Sequence, residues 1–351
     1  MRSSSTIILR TTDELCAEAL VPREKLGALA EVASRYAVAL TPAITNLIDR
    51  NDPHDPIARQ FVPHVRELEQ TADERADPIA DHPFSPVEGV VHRYPDRVLL
   101  KVVNACAVYC RFCFRREMIG PGRGGLSTAK LAAAIDYIAS RPQIWEVILS
   151  GGDPLILSAR RIKDIVRRLV AIPHVQVIRV HTRIPVVAPE RISAGLVRGL
   201  RTEKATFVVL HANHPRELTQ DARTACARLI DAGIPMLSQS VLLRGVNDDI
   251  ETLGTLMRSF VACRIKPYYL HHADLAPGTS HLRTTIAQGQ DLMRGLRGRF
   301  SGLCQPTYVL DIPDGHGKAP IGPSYVSAGE TATTALIEDY DGGRHPYPPK
   351  P

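Results

Sequence analysis

Three cysteines fall within one short stretch, Cys106-Ala107-Val108-Tyr109-Cys110-Arg111-Phe112-Cys113. No other feature of this chain limits its fold as strongly. Structural zinc wants four closed ligands, usually as two separated pairs. A dithiol redox pair needs only Cys-x-x-Cys and has no use for a third thiol. Three thiolates on a 4Fe–4S cluster leave one iron without a protein ligand, free to hold a small molecule. The run directly follows an apolar stretch, Arg97-Val98-Leu99-Leu100-Lys101-Val102-Val103, that reads as a strand. The chain must therefore build a strand that delivers a cysteine loop at its end. Cys16, Cys226, Cys263 and Cys304 stand alone in amphipathic stretches and read as small buried hydrophobes.

The rest of the chain supplies a scaffold for such a loop. Short β-branched runs recur at 146–150, 175–181, 206–211, 236–243 and 265–270, with helical patterns such as 129–140, 160–170 and 216–232 between them. Strands separated by helices predict right-handed βαβ units and a parallel sheet. Counting from Val98 gives six units, a partial (β/α)6 TIM-like barrel. The expected organisation is an N-terminal helical extension and connector over 1–90, the partial barrel over 91–305, and a C-terminal segment over 306–351. That segment holds a lysine loop and a Pro-rich, untethered tail beginning beyond Asp339. Ligands of such sheets gather at the carboxyl ends of the strands, where the polar motifs are expected to lie.

Composition narrows the partners. The net charge of +6 comes from arginines scattered along helix faces or gathered near the cysteines, and aromatic residues are only 5%. There is neither a basic tail nor a base-stacking platform, which argues against nucleic acid and for anionic small molecules. No apolar run approaches the ~20 residues needed to span a bilayer. Met1-Arg2-Ser3-Ser4-Ser5 leads into too short an apolar stretch for a secretory signal. An oxygen-labile cluster and unpaired thiols suit a reducing cytoplasm.

Several further motifs carry chemistry. Ser150-Gly151-Gly152-Asp153-Pro154 directly follows a strand, and its two glycines would let backbone groups approach a ligand. Asp311-Ile312-Pro313-Asp314-Gly315-His316-Gly317-Lys318 places a lysine in a Gly/Pro loop. Such a lysine is either an exposed charge or an amine poised for a Schiff base with an aldehyde such as pyridoxal phosphate. Arg93-Tyr94-Pro95-Asp96-Arg97 offers two guanidiniums suited to a phosphate.

Taken together, these motifs resemble the lysine 2,3-aminomutases, radical S-adenosylmethionine enzymes that also carry pyridoxal phosphate. The likeness runs in order through His92–Leu99, Cys106–Arg116, Ser150–Leu155, Thr182–Val187, Asn213–Pro215, Gln239–Asp248, Lys266–Tyr269, Asp274-Leu275, His281–Thr284, Asp311–Lys318 and Tyr325-Val326. The resemblance implies a barrel of the radical S-adenosylmethionine type, with Cys106, Cys110 and Cys113 on a 4Fe–4S cluster. Ser150, Gly151, Gly152, Asp153, His211 and Gln239 would contact S-adenosylmethionine. Lys318 would be the catalytic lysine that carries pyridoxal phosphate, with Arg93, Tyr94 and Arg97 as further cofactor contacts. Arg115 matches the residue that binds the substrate carboxylate, and Asp274 and Asp311 match the pair that recognises the side-chain ammonium of lysine. The implied reaction is isomerisation of L-lysine to β-lysine through a 5′-deoxyadenosyl radical, fed by a cellular one-electron reductant.

The chain departs from better known family members in one respect. Those carry a C-terminal cysteine cluster and a cysteine after Gly-Val-Asn-Asp that bind zinc between subunits. Here Asp249 takes that position and no cysteine follows Cys304, which argues against structural zinc and leaves homo-oligomerisation open. Shorter relatives make (R)-β-lysine for modification of elongation factor P, so product handedness is open as well. Arginine, which also ends in a cation, is a rival substrate. A non-catalytic iron–sulfur protein is the remaining alternative, though ferredoxin-type sites use four cysteines.

Overall fold

The computed structural model, which describes residues 7–349, is built on one nine-stranded sheet whose spatial order follows the chain. Its first two strands, β1 (Val90–Tyr94) and β2 (Arg97–Val103), pair antiparallel. From β2 the sheet runs parallel through β3 (Glu146–Gly151), β4 (Val177–Thr182), β5 (Ala205–His211), β6 (Met236–Val241), β7 (Ile265–His271) and β8 (Thr307–Ile312). The last strand, β9 (Gly317–Pro320), folds back antiparallel onto β8 and sets Lys318 opposite Asp311. The two edges then meet: the Lys318 backbone N–H donates to Tyr94 Oη at 2.7 Å. The sheet thereby curls into a nearly closed barrel.

In the N-terminal extension lie α1 (Thr12–Ala17), α2 (Leu26–Arg35), α3 (Pro42–Thr45) and α4 (Ala58–Phe61). Between the parallel strands lie α5 (Thr128–Ala139), α6 (Ala159–Val170), α7 (Ile184–Val187), α8 (Ala194–Leu200), α9 (Gln220–Asp231), α10 (Ile250–Ala262) and α11 (Ile286–Leu296). Most of the barrel helices open on a side-chain cap: Ser127, Ser158, Ser193, Thr219, Asp249 and Thr285 each accept from a backbone N–H three residues on. Asp249 is thus the N-cap of α10. α6 shows how each helix finds its face. Ile162, Ile165, Val166 and Leu169 are buried against the sheet, while Arg160, Lys163 and Arg167 face solvent. β3 is buried along almost its whole length, as a parallel strand covered on both faces should be.

The six strand–helix units expected from sequence are present, and a seventh parallel strand, β8, follows them. It escapes sequence counting because the polar Asp311 interrupts its apolar run and Pro313-Asp314-Gly315 follows at once, so the segment reads as a loop. The N-terminal extension is helical only in short pieces, but it is no loose appendage. Leu15, Val32, Ile57 and Phe61 belong to the same continuous core as the barrel residues Leu149, Val180 and Tyr308.

Two expectations are corrected. The tail is not untethered, because β10 (Val326–Ala328), β11 (Ala335–Glu338) and β12 (Arg344–Tyr347) form a second antiparallel sheet. Its strand signal is hidden by prolines, which an edge strand tolerates. Also, the turn Tyr94–Arg97 lies at the amino end of β2, opposite the cysteines, because the β1–β2 hairpin forces it there. Met1–Ser5 and the final Lys350-Pro351 lie outside the described residues. Among the described residues no helix is long and apolar enough to cross a membrane.

Candidate active site

The cysteine loop leaves the carboxyl end of β2 and wraps back on itself. Cys106, Cys110 and Cys113 line one small cavity with Tyr36, Tyr109 and Ile119, among others. Burial pushes all three thiols up, Cys113 to about 11 and Cys106 well above the usual range. Among the described residues, no three His, Cys, Asp or Glu side chains converge as ligands for a metal ion. A cubane makes no such demand, since each thiolate binds its own iron. Three sulfurs converge on this one cavity with no carboxylate or imidazole in its lining, which suits an iron–sulfur cluster. Arg183, which follows β4, donates from Nη1 to Cys110 Sγ at 3.2 Å, a contact of the kind that tunes such clusters.

The motif after β3 acts on the cysteine loop directly. Gly152 N–H donates to Val103 O at 2.6 Å and Asp153 N–H to Ala105 O at 3.0 Å. A Cβ on Gly151 would come 2.4 Å from Val103 O, and one on Gly152 would come 2.1 Å from Ala105 O. The glycines are therefore required by backbone packed on backbone, whatever else they meet. Asp153 is equally occupied: it accepts from Thr182 Oγ1 at 2.7 Å and from the N–H groups of Arg183 and Leu155 at 2.6 and 3.0 Å. These contacts lock the loops after β2, β3 and β4 together. Ser150 is buried near the end of β3, and Gln239 sits half-buried in β6 in register with His211. His211, the last residue of β5, faces Phe112, and its buried Nε2 has no hydrogen-bond partner. Burial holds its imidazole, and that of His181, well below the usual range, so both are neutral. An unpartnered neutral nitrogen at a strand end fits a cosubstrate contact there.

The second centre lies where β7 and β8 end. Lys318 Nζ donates to both oxygens of Asp311, at 2.6 and 2.5 Å, and His271 Nδ1 stands 3.6 Å from the same carboxylate. Burial would raise the Asp311 carboxyl, but His271 and Lys318 outweigh it and hold it well below the usual range. Asp274 is its opposite. Burial, reinforced by the Asp311 charge, pushes its carboxyl up to about 7. Arg115 is close enough that the Asp311 charge acts on it.

Arg115 reaches this centre from the cysteine loop and is held by a residue that sequence reasoning missed. Fully buried Asp81 accepts from Arg115 Nε at 2.9 Å and from Arg93 Nη2 at 3.3 Å, with Lys101 Nζ at 3.9 Å. Arg93 also donates to Ile79 O at 2.6 Å, while its buried Nε has no partner. Arg97 is one step removed. It stacks on the Tyr94 ring at 3.9 Å and pairs with Asp96. A primary amine on Lys318, with Tyr94 against its backbone and an unpartnered Nε on Arg93, the residue before Tyr94, is a donor set that fits pyridoxal phosphate.

Two further missed carboxylates show that part of the basicity near the cysteines is structural. Buried Glu67 binds both Arg111 and Arg116, and buried Glu217 binds Arg183 at 2.5 Å. Arg111 and Arg116 are thus committed to Glu67 rather than offered to small anions. Glu67 and Glu217 each close a capping box with His64 and His214, a local signal of a helical turn that says nothing of the arginines they bind, and no local motif marks Asp81.

Residues 100–256 match the family model of the radical SAM superfamily, and residues 293–350 match that of lysine-2,3-aminomutase. The chain is 40% identical to the L-lysine 2,3-aminomutase of Clostridium subterminale over 334 residues, covering 95% of this chain and 80% of that protein. It is 42% identical to the L-lysine 2,3-aminomutase of Acetoanaerobium sticklandii, over 92% of this chain and 78% of that one. A glutamate 2,3-aminomutase of Clostridioides difficile is 36% identical over 84% of this chain and 70% of its own length.

Proposed function

This chain belongs to the lysine 2,3-aminomutase family of radical S-adenosylmethionine enzymes, and from that premise we propose that it interconverts L-lysine and β-lysine. The family makes it an isomerase; when bound, the cluster and S-adenosylmethionine would supply hydrogen abstraction, and pyridoxal phosphate a carbonyl for the migrating nitrogen. Cys106, Cys110 and Cys113 would hold the cluster, and Lys318 would hold pyridoxal phosphate.

The substrate reading rests on one observation: Asp311 and Asp274 lie together at the ends of β7 and β8, close enough for their charges to act on each other, with Arg115 close enough to act on both. A substrate with a carboxylate at one end and an ammonium at the other matches that charge layout. Asp81 takes Arg115 by its Nε, and no described hydrogen bond occupies Nη1 or Nη2, which leaves the forked end for a carboxylate. The acidic pair would take the ammonium. A glutamate substrate would bring a second carboxylate to the same place and be repelled. The walls of β5 and the Phe112 ring would keep water from the reacting carbons.

The test is anaerobic turnover of L-lysine, L-arginine and L-glutamate by protein reconstituted with iron, sulfide and both organic cofactors, with chiral analysis of product. L-Lysine is expected to be converted at least about 30-fold more efficiently than L-glutamate, by the energetics of a buried charge pair lost (about 2–5 kcal/mol). Borohydride reduction should place pyridoxal phosphate on Lys318. Equal turnover of glutamate, or label on the half-buried Lys101 instead, would overturn the reading.

A further inference from the structure

Strand β2 carries a charge that its apolar neighbours do not call for. Beyond the first residue, Lys101 is the only charged side chain of Arg97–Val103. Alternation puts it on the half-buried face with Arg97 and Leu99, while Val98, Leu100 and Val102 belong to the core. Its register partner is Ser150 of β3, and a Cβ on Gly151 would come 3.2 Å from its Cα. Lys101 thus stands toward the carboxyl end of the sheet, beside the glycine motif. There Lys101 Nζ and Arg115 Nε share one oxygen of Asp81, at 3.9 and 2.9 Å. Resting on the substrate reading above, we propose that Lys101 joins Arg115 as a second ligand of the substrate's carboxylate, so that the site admits only amino acids whose carboxylate is free.

As a counter-ion for Asp81 the lysine is redundant. Asp81 already accepts from Arg115 Nε on one oxygen and from Arg93 Nη2 on the other. At 3.9 Å the ammonium lies beyond hydrogen-bond distance, and no described hydrogen bond occupies it, although its side chain is only 15% exposed. Burial pulls it below its usual range, and the Asp81 charge offsets this only in part. Three cations, Arg93, Lys101 and Arg115, here face Asp81 and the more distant Asp77. Asp311 also acts on Arg115, but both its oxygens accept from Lys318. The group therefore holds one positive charge more than Asp81 and Asp77 balance. Its open donors are Lys101 Nζ and the forked end of Arg115. A planar carboxylate fits them: the fork takes both oxygens, and the ammonium takes a remaining lone pair of one. An amide, a diamine or a lysine inside a peptide lacks that charge and would leave both cations uncompensated.

Equilibrium dialysis would compare radiolabelled L-lysine with L-lysinamide on protein carrying the cluster and pyridoxal phosphate, with S-adenosylmethionine withheld so that nothing turns over. Wild type is expected to bind L-lysine at least about 30-fold more tightly than L-lysinamide. In Lys101→Met and Lys101→Gln the affinity for L-lysine should fall about tenfold or more, as a charge-assisted hydrogen bond is lost. Affinity for L-lysinamide should change less than about twofold, which a merely structural role for Lys101 does not predict. Lys101→Arg keeps the cation and should recover most of the loss. Two neutral replacements of different polarity keep the test open if one of them misfolds, which iron per chain reports. Equal losses for both ligands, or no loss for either, would remove Lys101 from the carboxylate and leave the substrate reading standing. Unchanged L-lysine affinity with a drop in bound pyridoxal phosphate would give the ammonium to the cofactor's phosphate and overturn the assignment as well. If wild type itself does not prefer L-lysine to L-lysinamide, the carboxylate seat and the substrate reading fall together.

Discussion

At the scale of single residues, two aspartates of the same type behave differently because of what surrounds them. Asp311 has Lys318 and His271 and ionises readily, whereas Asp274 has burial and a neighbouring negative charge and keeps its proton to about 7. An unfolded chain loses the same proton near ~3.9. Between those two values the folded state binds more protons, so the contribution of Asp274 to stability falls as pH rises across that window and is flat above it. Substrate recognition runs the other way. A lysine ammonium prefers the carboxylate, so its binding expels the proton and strengthens as pH rises. The KM for L-lysine is therefore expected to fall as pH rises through about 7. Asp274→Asn should flatten that profile and lower kcat/KM by about 30- to 1000-fold, a loss of roughly 2–4 kcal/mol. A wild-type KM that does not change between pH 6 and 8 would count against Asp274 as an ammonium ligand.

At the scale of elements, what the sequence revealed depends on how local each feature is. The cysteine loop, the strand before it and six strand–helix units are written in adjacent residues, and the helix caps lie three residues from their partners. β8 was hidden because its inward Asp311 breaks the apolar pattern, and β12 because a strand carrying Pro346 reads as tail. The glycines after β3 were legible as a motif but not as a contact. Their partners are the carbonyls of Val103 and Ala105, some fifty residues earlier in the chain. That contact yields a prediction at this scale. In Gly152→Ala the new methyl would overlap Ala105 O, 2.1 Å from the ideal Cβ, and the two loops must part. Overpacking of this kind costs about 1–3 kcal/mol, which a barrel can survive. Far-UV circular dichroism should stay native while iron and sulfide per chain, after reconstitution, fall below about half of wild type. Full cluster content in Gly152→Ala would show that the clamp does not shape the cysteine loop.

At the scale of the whole molecule, the N-terminal extension completes the site rather than decorating the barrel. Its connector sends three buried carboxylates inward at intervals of seven residues. Glu67 holds Arg111 and Arg116, Glu74 holds Arg283 and the Gly278 N–H, and Asp81 holds Arg93 and Arg115. Glu67 and Asp81 both join the connector to the cysteine loop, Glu74 joins it to the loop after β7, and Asp81 also ties it to β1 through Arg93. Glu67 is the one to test, because both guanidiniums that depend on it, Arg111 and Arg116, belong to the cysteine loop. Glu67→Ala leaves both buried without their partner, a loss of about 3–5 kcal/mol. Because the missing contacts span the connector and the cysteine loop, the damage should be shared by those two segments and not by the barrel centre. Hydrogen exchange is expected to show residues 64–81 and 104–119 losing protection together, while Val147–Leu149 and Val208–Leu210 in the middle of the sheet keep theirs. If protection falls evenly over all strands instead, the extension and barrel unfold as one unit and the connector has no separate hold on the cysteine loop. If the cysteine loop loosens while 64–81 stays protected, Glu67 acts on the arginines alone, and the other two carboxylates suffice to anchor the connector.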